Sequence, residues 1–126
     1  MTQLQRQIVF DIAAEALLKQ GKKSCDVDGD LCLYRGPNGV RCAIGHLIPD
    51  AQYSPMMEGE PVRSLPVIEI TNKGSVIKLD DLDFLARLQN DIHDRVDECS
   101  FVGDLKEAVS KFAETHCLDI PTSFKE

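Results

Sequence analysis

The sequence lacks tryptophan, and aromatic residues of any type make up only 6% of it. A core built from these residues must therefore be mainly aliphatic. Hydrophobic residues still amount to 43% of the 126 positions, which argues against wholesale disorder and suits one domain with one core. We expect a single domain over residues 1–126, with residues 120–126 as a frayed tail.

Long apolar runs are also missing. No stretch approaches the ~18 residues of a membrane span, and no charged-then-apolar signal segment opens the sequence. The five cysteines are an odd number without the dense spacing of a disulfide framework. These features predict no membrane association, free thiols and a reducing, cytoplasmic location.

Positive charge is scarce, because 14 Lys and Arg residues face 21 Asp and Glu residues, for a formal net charge of −7. Nucleic-acid-binding surfaces are usually basic, so this balance predicts no direct binding of nucleic acid. It favours a basic protein partner, or mimicry of the negative surface of a nucleic acid.

Three helices are predicted from apolar periodicity and capping residues. The first spans residues 3–20, with Leu4, Ile8, Ile12 and Ala16 on its main apolar stripe and a second stripe through residues 9, 13 and 17 beside it. Thr2 and Gln5 have the spacing of a capping box, and Gly21 is a natural stop. The second helix runs from Asp80 or Asp81 to about Val96, and the third from Ser100 to about Cys117.

Two hairpins are predicted from turn residues between β-forming arms. The first joins Asp30 to Arg35 with Val40 to Cys42 through a Pro-Asn-Gly turn, and a short helix ending before Pro49 follows it. The second joins Val67 to Thr71 with Ser75 to Leu79 through a three-residue loop at 72–74. Residues 50–66 are predicted to be irregular. The fold class is therefore α+β, with three principal helices and one or two β-hairpins.

Two metal sites can be considered. Cys25, Cys32, Cys42 and His46 are zinc-ligand types, but none of them forms the close cysteine pair of a zinc knuckle. Cys32 and Cys42 are equally compatible with small buried hydrophobic positions. The alternating carboxylates at 26, 28 and 30 resemble the start of a calcium loop, but the glycine and glutamate expected later in such a loop are absent. We expect no bound metal or cofactor.

A nucleophilic site can be drawn from Cys42, with His46 or His93 as base and Asp94 as the orienting carboxylate. No nucleophile elbow, phosphate loop or paired catalytic carboxylates accompany these residues. The sequence therefore favours a protein that is not an enzyme.

A ligand site is the alternative to protein binding. Two tyrosines and three arginines flank the first predicted hairpin, and arginine recognises phosphate while tyrosine offers a stacking face. If they converge, they would form a nucleotide-binding site; they are Tyr34, Arg35, Arg41, Tyr53 and Arg63.

The segment from Asp80 to Glu98 holds seven carboxylates against two arginines. A solvated helix face is one interpretation, and a negative surface that docks on a basic partner is the other. The residues predicted to form this acidic face are Asp83, Asp91, Asp94, Asp97 and Glu98.

Three sets of residues carry a resemblance to a known group of proteins. The first is CLYRGPNGVRCAIG (residues 32–45) followed by LIPD (47–50), and the second is Tyr53 with MEG (57–59). The third combines FL (84–85), LQ (88–89), IHD (92–94) and FAETH (112–116). Together they resemble a set of small accessory proteins encoded by tailed phages and prophages, over about residues 5–121.

This resemblance implies no catalytic residue. It implies a protein made inside a bacterial host that engages a host protein or an anti-phage defence protein, with inhibition through the acidic face as one form of that role. A small-ligand module that binds nucleotide or zinc remains the alternative, and the oligomeric state is left open.

Overall fold

The computed structural model describes residues 1–26 and 31–125. Three helices and one two-stranded antiparallel sheet occupy these residues, which confirms the α+β prediction. The elements in chain order are α1 (Gln3–Gln20), β1 (Ile68–Asn72), β2 (Ser75–Leu79), α2 (Leu82–Gln89) and α3 (Phe101–His116). None of the helices found in these residues is long and apolar enough to cross a membrane.

Helix α1 begins and ends where the sequence predicts, but it is rotated about its axis. The Thr2–Gln5 capping box forms, and Gly21 ends the helix with φ +75°. The predicted main stripe is only partly buried, since Ile8 and Ile12 pack against the core but Leu4 is 71% exposed. The flanking stripe is fully buried, and Phe10 beside it stacks on Phe112 of α3 with 5.3 Å between ring centroids. The buried residues are Val9, Phe10, Ala13, Ala14 and Leu17.

The second predicted hairpin is present, with one correction. Its turn has two residues, not three, because Asn72 pairs with Ser75. Lys73 and Gly74 both have positive φ, +50° and +82°, as a type I′ turn requires. Every second residue of the strands points into the core: Ile68, Ile70, Ile77 and Leu79.

The first predicted hairpin is wrong as a pair of strands. Arg35 and Arg41 form an isolated antiparallel bridge around a 3₁₀ turn at Pro37–Gly39, and Cys25 and Cys32 form another bridge that the sequence did not predict. Asp30, the predicted start of the first arm, lies outside the described residues. The chain turns into a second 3₁₀ turn, Gly45–Leu47, soon after Arg41, so the second arm is too short to extend the ladder.

Side chains satisfy the backbone of residues 31–48, which we call the central segment, in place of a neighbouring strand. The Glu58 carboxylate accepts hydrogen bonds from the Tyr34 and Arg35 amides, at 2.8 and 3.0 Å. The Gln20 amide bonds both the N–H and the C=O of Arg41, at 2.8 and 2.9 Å. Buried backbone groups must find partners, and here long polar side chains supply them.

The second helix differs from its prediction at the C-terminal end. The α-helical hydrogen bonds stop at Gln89, and a π-helical turn covers Asn90–Asp94, with the Arg95 amide 3.0 Å from the Asn90 carbonyl. The single helix predicted to reach Val96 is therefore wrong. Helix α3 matches its prediction and ends at Cys117, which has φ +57°.

The remaining segments form short turns against one hydrophobic core. Residues 50–66 contain three 3₁₀ turns, Asp50–Gln52, Pro55–Met57 and Val62–Ser64. Another 3₁₀ turn, Thr122–Phe124, lies in the segment predicted to fray, and Phe124 packs against the core.

Candidate functional site

A polar cluster around the buried His93 lies where the π-helical turn meets the central segment. The Cys32 sulfur, a His93 ring nitrogen and an Asp94 carboxylate oxygen all lie within 4.8 Å of one another. The π-helical turn positions two of these residues, since it directs His93 fully inward and leaves Asp94 at the edge. Such turns are often found at functional sites, so this cluster is the first to test.

The hydrogen bonds of His93 fix its tautomer. The Ser24 amide donates to Nε2 at 3.0 Å, so Nε2 carries no proton. The ring proton is therefore on Nδ1, which lies 2.8 Å from Oδ1 of Asp94 and donates to it. Both ring nitrogens are occupied by partners within the protein.

The Asp94 carboxylate accepts hydrogen bonds from both Gln89 and His93. Burial raises its pKa, but the hydrogen bonds from His93 and Gln89 outweigh burial and lower the pKa below its ordinary value. Gln89 donates to Oδ1 at 2.8 Å, and its own carbonyl accepts from the Ile44 amide at 2.9 Å. The network thus links α2 and the π-helical turn to the central segment.

The hydrogen bonds of His93 do not suit metal coordination, because both of its ring nitrogens already have partners. A metal at Nδ1 of His93 would move the ring proton to Nε2, where it would face the Ser24 N–H. Partial desolvation and the Asp94 charge raise the pKa of Cys32 to about 12, so in the absence of a metal its sulfur keeps its proton. The geometry is that of a structural hydrogen-bond network.

The predicted zinc ligands are distributed over different environments. Cys25 lies opposite Cys32 in the bridge, while the buried Cys42 sulfur accepts from the Gly45 amide at 3.3 Å. His46 pairs through Nε2 with Gln20 at 2.9 Å. Within the described residues, only Cys32 of these four belongs to the cluster of possible metal ligands. Two of the three predicted calcium ligands, at positions 28 and 30, lie outside the described residues.

Cys42, the cysteine considered as a nucleophile, is enclosed in the core. Cys42 is 1% exposed, and burial raises its pKa to about 12. Burial, with the Arg41 charge, lowers the pKa of His46 to about 4. A thiol enclosed in the core in this way cannot reach a substrate.

The predicted nucleotide residues are brought partly together. The Arg35 guanidinium lies over the Tyr53 ring, 4.2 Å from its centroid, and pairs with Asp50 at 2.8 Å. Arg41 approaches the same Asp50 oxygen at 3.5 Å. A phosphate would have to displace this carboxylate and the arginine that covers the tyrosine face.

The other two predicted nucleotide residues lie outside this group. The Tyr34 hydroxyl donates to the Glu60 carbonyl at 2.6 Å, and Tyr34 is buried. Arg63 pairs with Asp83 at 2.9 Å on the surface. The five residues therefore do not form one convergent site.

The predicted acidic face is divided in the same way. Asp83 is neutralised by Arg63, and Asp94 belongs to the buried network. Asp97 accepts from the Cys99 amide at 2.9 Å, and Glu98 is exposed. Asp91 lies 3.8 Å from the mostly exposed Arg95, a distance that gives little attraction at a surface.

Asp91 also contributes to a groove between the π-helical turn and α3, which we call the α3 groove. Its volume is about 330 Å³. Three carboxylates and two cations line it together with three apolar residues, of which Val96 and Phe112 are buried and Ala108 is half-buried. The lining residues are Asp91, Arg95, Val96, Asp104, Glu107, Ala108, Lys111, Phe112 and Thr115.

Sequence reasoning missed the residues that organise the buried network. Gln89 follows Leu88 and lies four positions after Leu85, so a polar residue on the apolar stripe of α2 was the available signal. Glu58 and Gln20 left no such signal, because their partners are distant backbone groups. Asp104 and Glu107 were missed because the predicted acidic segment ended at Glu98.

Comparisons with known proteins add no relative: no family model, curated protein or solved structure matches this chain.

Proposed function

We propose that this protein is a non-enzymatic binding module that engages a basic partner protein through the α3 groove. The observation that carries the proposal is the pairing of an apolar lining with carboxylates from two elements: Asp91 on the π-helical turn, and Asp104 and Glu107 on α3. A lysine or arginine side chain of the partner fits this combination, because its stem is apolar and its end is positive.

The size of the groove supports a side-chain anchor. About 330 Å³ is at the lower end of the range for ligand sites, and it suits one or two long side chains projecting from a partner. The Asp104 carboxylate is held by the Ser100 hydroxyl at 2.8 Å, so one side of the groove is oriented before binding.

The net charge of −7 supports the same partner class at longer range. A basic surface would be attracted before contact, and added salt would weaken this attraction. If the resemblance to phage and prophage accessory proteins holds, the partner is a host protein, and a nucleic-acid-handling or defence protein has the required basic surface.

Charge reversal tests the proposal. Glu107→Lys places a cation in the groove, whereas Glu114→Lys makes the same change in net charge elsewhere on α3, at an exposed residue outside the groove. The measurement is capture from bacterial lysate by each immobilised variant, quantified by mass spectrometry, followed by titration of the purified partner at several salt concentrations.

We expect Glu107→Lys to weaken binding by about tenfold, or ~1.4 kcal/mol, and Glu114→Lys to have a much smaller effect. Equal losses in both variants would indicate that net charge alone attracts the partner. The proposal would be overturned if the unaltered protein captured no partner, or captured only partners that Glu107→Lys binds equally well. Asp94 is unsuitable for this experiment, because its reversal would disrupt the buried network.

A further inference from the structure

Cys25 and Cys32 face each other in a geometry that favours a disulfide. They form an isolated antiparallel bridge. The hydrogen bonds around it run from the Asp26 amide to the Leu31 carbonyl, at 2.8 Å, and from the Leu33 amide to the Ser24 carbonyl, at 3.0 Å. The bonds thus join the neighbours of the two cysteines, which makes the cysteines a non-hydrogen-bonded pair.

This type of pair brings side chains closest together. The Cα atoms of such a pair are typically about 4.5 Å apart, and disulfides span about 4.4–6.8 Å between Cα atoms. The two side chains lie on the same face of the bridge, because directly opposed residues of an antiparallel pair share a face.

Both thiols are accessible to small reagents. Cys32 is exposed and Cys25 is partly exposed, whereas Cys42 is enclosed in the core. Cys99 and Cys117 are also exposed, but they flank the two ends of α3. Cys25 and Cys32 are therefore the accessible cysteines that the backbone holds opposite each other.

We propose that Cys25 and Cys32 are a redox-modification site that forms an intramolecular disulfide by exchange with a low-molecular-weight disulfide such as oxidised glutathione. In the first step, the Cys25 sulfur attacks the small disulfide, and one small thiol leaves with the Cys25 proton. In the second step, the Cys32 sulfur attacks the Cys25 sulfur, and the other small thiol leaves with the Cys32 proton.

The order of attack follows from the surroundings of Cys32. Partial desolvation and the negative charge of Asp94 disfavour its thiolate, so Cys32 is the poorer first nucleophile. It acts as the resolving cysteine, because its position opposite the Cys25 sulfur offsets its low thiolate fraction. Oxidation would also remove the Cys32 S–H from the side of Asp94, which ties the redox state of the bridge to the buried network.

The sequence offers a direct readout. Trypsin cleaves after Lys23 and Arg35, so both cysteines lie on one peptide, residues 24–35. The folded protein carrying Cys99→Ser and Cys117→Ser is equilibrated with mixtures of reduced and oxidised glutathione, then trapped with acid, alkylated and digested. The disulfide appears as this peptide without alkyl groups and lighter by two hydrogens.

The matched control is the same protein in urea, because cysteines separated by six residues also meet in an unfolded chain. We expect the native protein to form the disulfide at an oxidised glutathione concentration about tenfold lower than the unfolded protein needs. In Cys25→Ser and Cys32→Ser, the remaining cysteine should carry a mixed disulfide with glutathione.

Two results would overturn the proposal. One is that, at a glutathione ratio where the unfolded protein already contains the disulfide, the peptide from the folded protein still carries two alkyl groups or two glutathione adducts. The other is equal disulfide formation in the native and unfolded proteins, which would show that the bridge contributes nothing beyond closeness in sequence.

Discussion

Glutamine side chains take the place of a neighbouring strand at several points of this molecule. Gln7, Gln20 and Gln52 each bond both the N–H and the C=O of one distant residue. A primary amide can do this because it presents a donor and an acceptor side by side, as a peptide group does. Gln89 uses the same chemistry in the interior, between the Ile44 amide and the Asp94 carboxylate.

Gln89→Leu tests how much the buried network contributes to the free energy of unfolding. Leucine has a similar volume but leaves the Ile44 N–H and one Asp94 interaction without a partner. We expect the free energy of unfolding to fall by about 2–3 kcal/mol, measured by urea denaturation.

Gln52→Leu is the matched control, because Gln52 makes two hydrogen bonds to Glu69 at the surface, where water can replace them. Its cost should be below about 1 kcal/mol. Similar losses in the two variants would contradict the importance of burial at Gln89.

The residue scale also explains which parts of the site the sequence could predict. The pairing of His93 with Asp94 was readable, because the two residues are adjacent. The approach of Cys32 to Asp94 was not, since it depends on where a bridge and a π-helical turn meet. Side-chain bonds to distant backbone, such as those of Glu58, leave no periodic pattern in the sequence.

Among the elements, those with strong local signals were predicted correctly. The capping box fixed the start of α1, and β-branched alternation gave the hairpin of β1 and β2. The central segment was not predictable in the same way, because its turn residues were clear but its hydrogen-bond partners lie in α1, α2 and residue 58. The apolar stripe of α2 continued through Ile92 and concealed the change to a π-helical turn.

The 3₁₀ turn at Gly45–Leu47 packs directly against the Tyr34 backbone. A Cβ atom added at Gly45 would lie 1.9 Å from the Tyr34 carbonyl oxygen, which is backbone and cannot rotate away. We expect Gly45→Ala to lower the free energy of unfolding by about 3 kcal/mol or more, measured by chemical denaturation.

Gly103 in α3 provides the control for this substitution, since an added Cβ there meets nothing within 4 Å. Gly103→Ala should leave stability unchanged or raise it by up to about 1 kcal/mol through helix propensity. A stable Gly45→Ala protein would mean that the two backbone segments separate more easily than this packing indicates.

At the scale of the whole molecule, buried histidine couples stability to pH. The pKa of His46 falls from its ordinary value of 6.5 to about 4 in the folded protein. The unfolded chain therefore binds more protons between these values, and stability must fall as the pH decreases from 6.5 to 4. His116, whose pKa is also lowered by burial, acts in the same direction.

His46→Gln should reduce this pH dependence, because glutamine does not titrate and can still donate to Gln20. The measurement is the free energy of unfolding at pH 7 and pH 4.5 for both proteins. The carboxylates with lowered pKa values, such as Asp94, act at lower pH and should not mask the difference. An unchanged dependence in the variant would contradict the assignment to His46.

The π-helical turn sets the phase of the chain between α2 and α3. It holds one residue more than the α-helical turn it replaces. If the same residues wound as an ordinary α-helix, everything after the turn would rotate by about 100° relative to α2, because each α-helical residue advances by that angle. His93 would leave the interior, and the chain would enter α3 from another direction. Variants that keep every named side chain but lose the π-helical winding would therefore lose both the network and the groove.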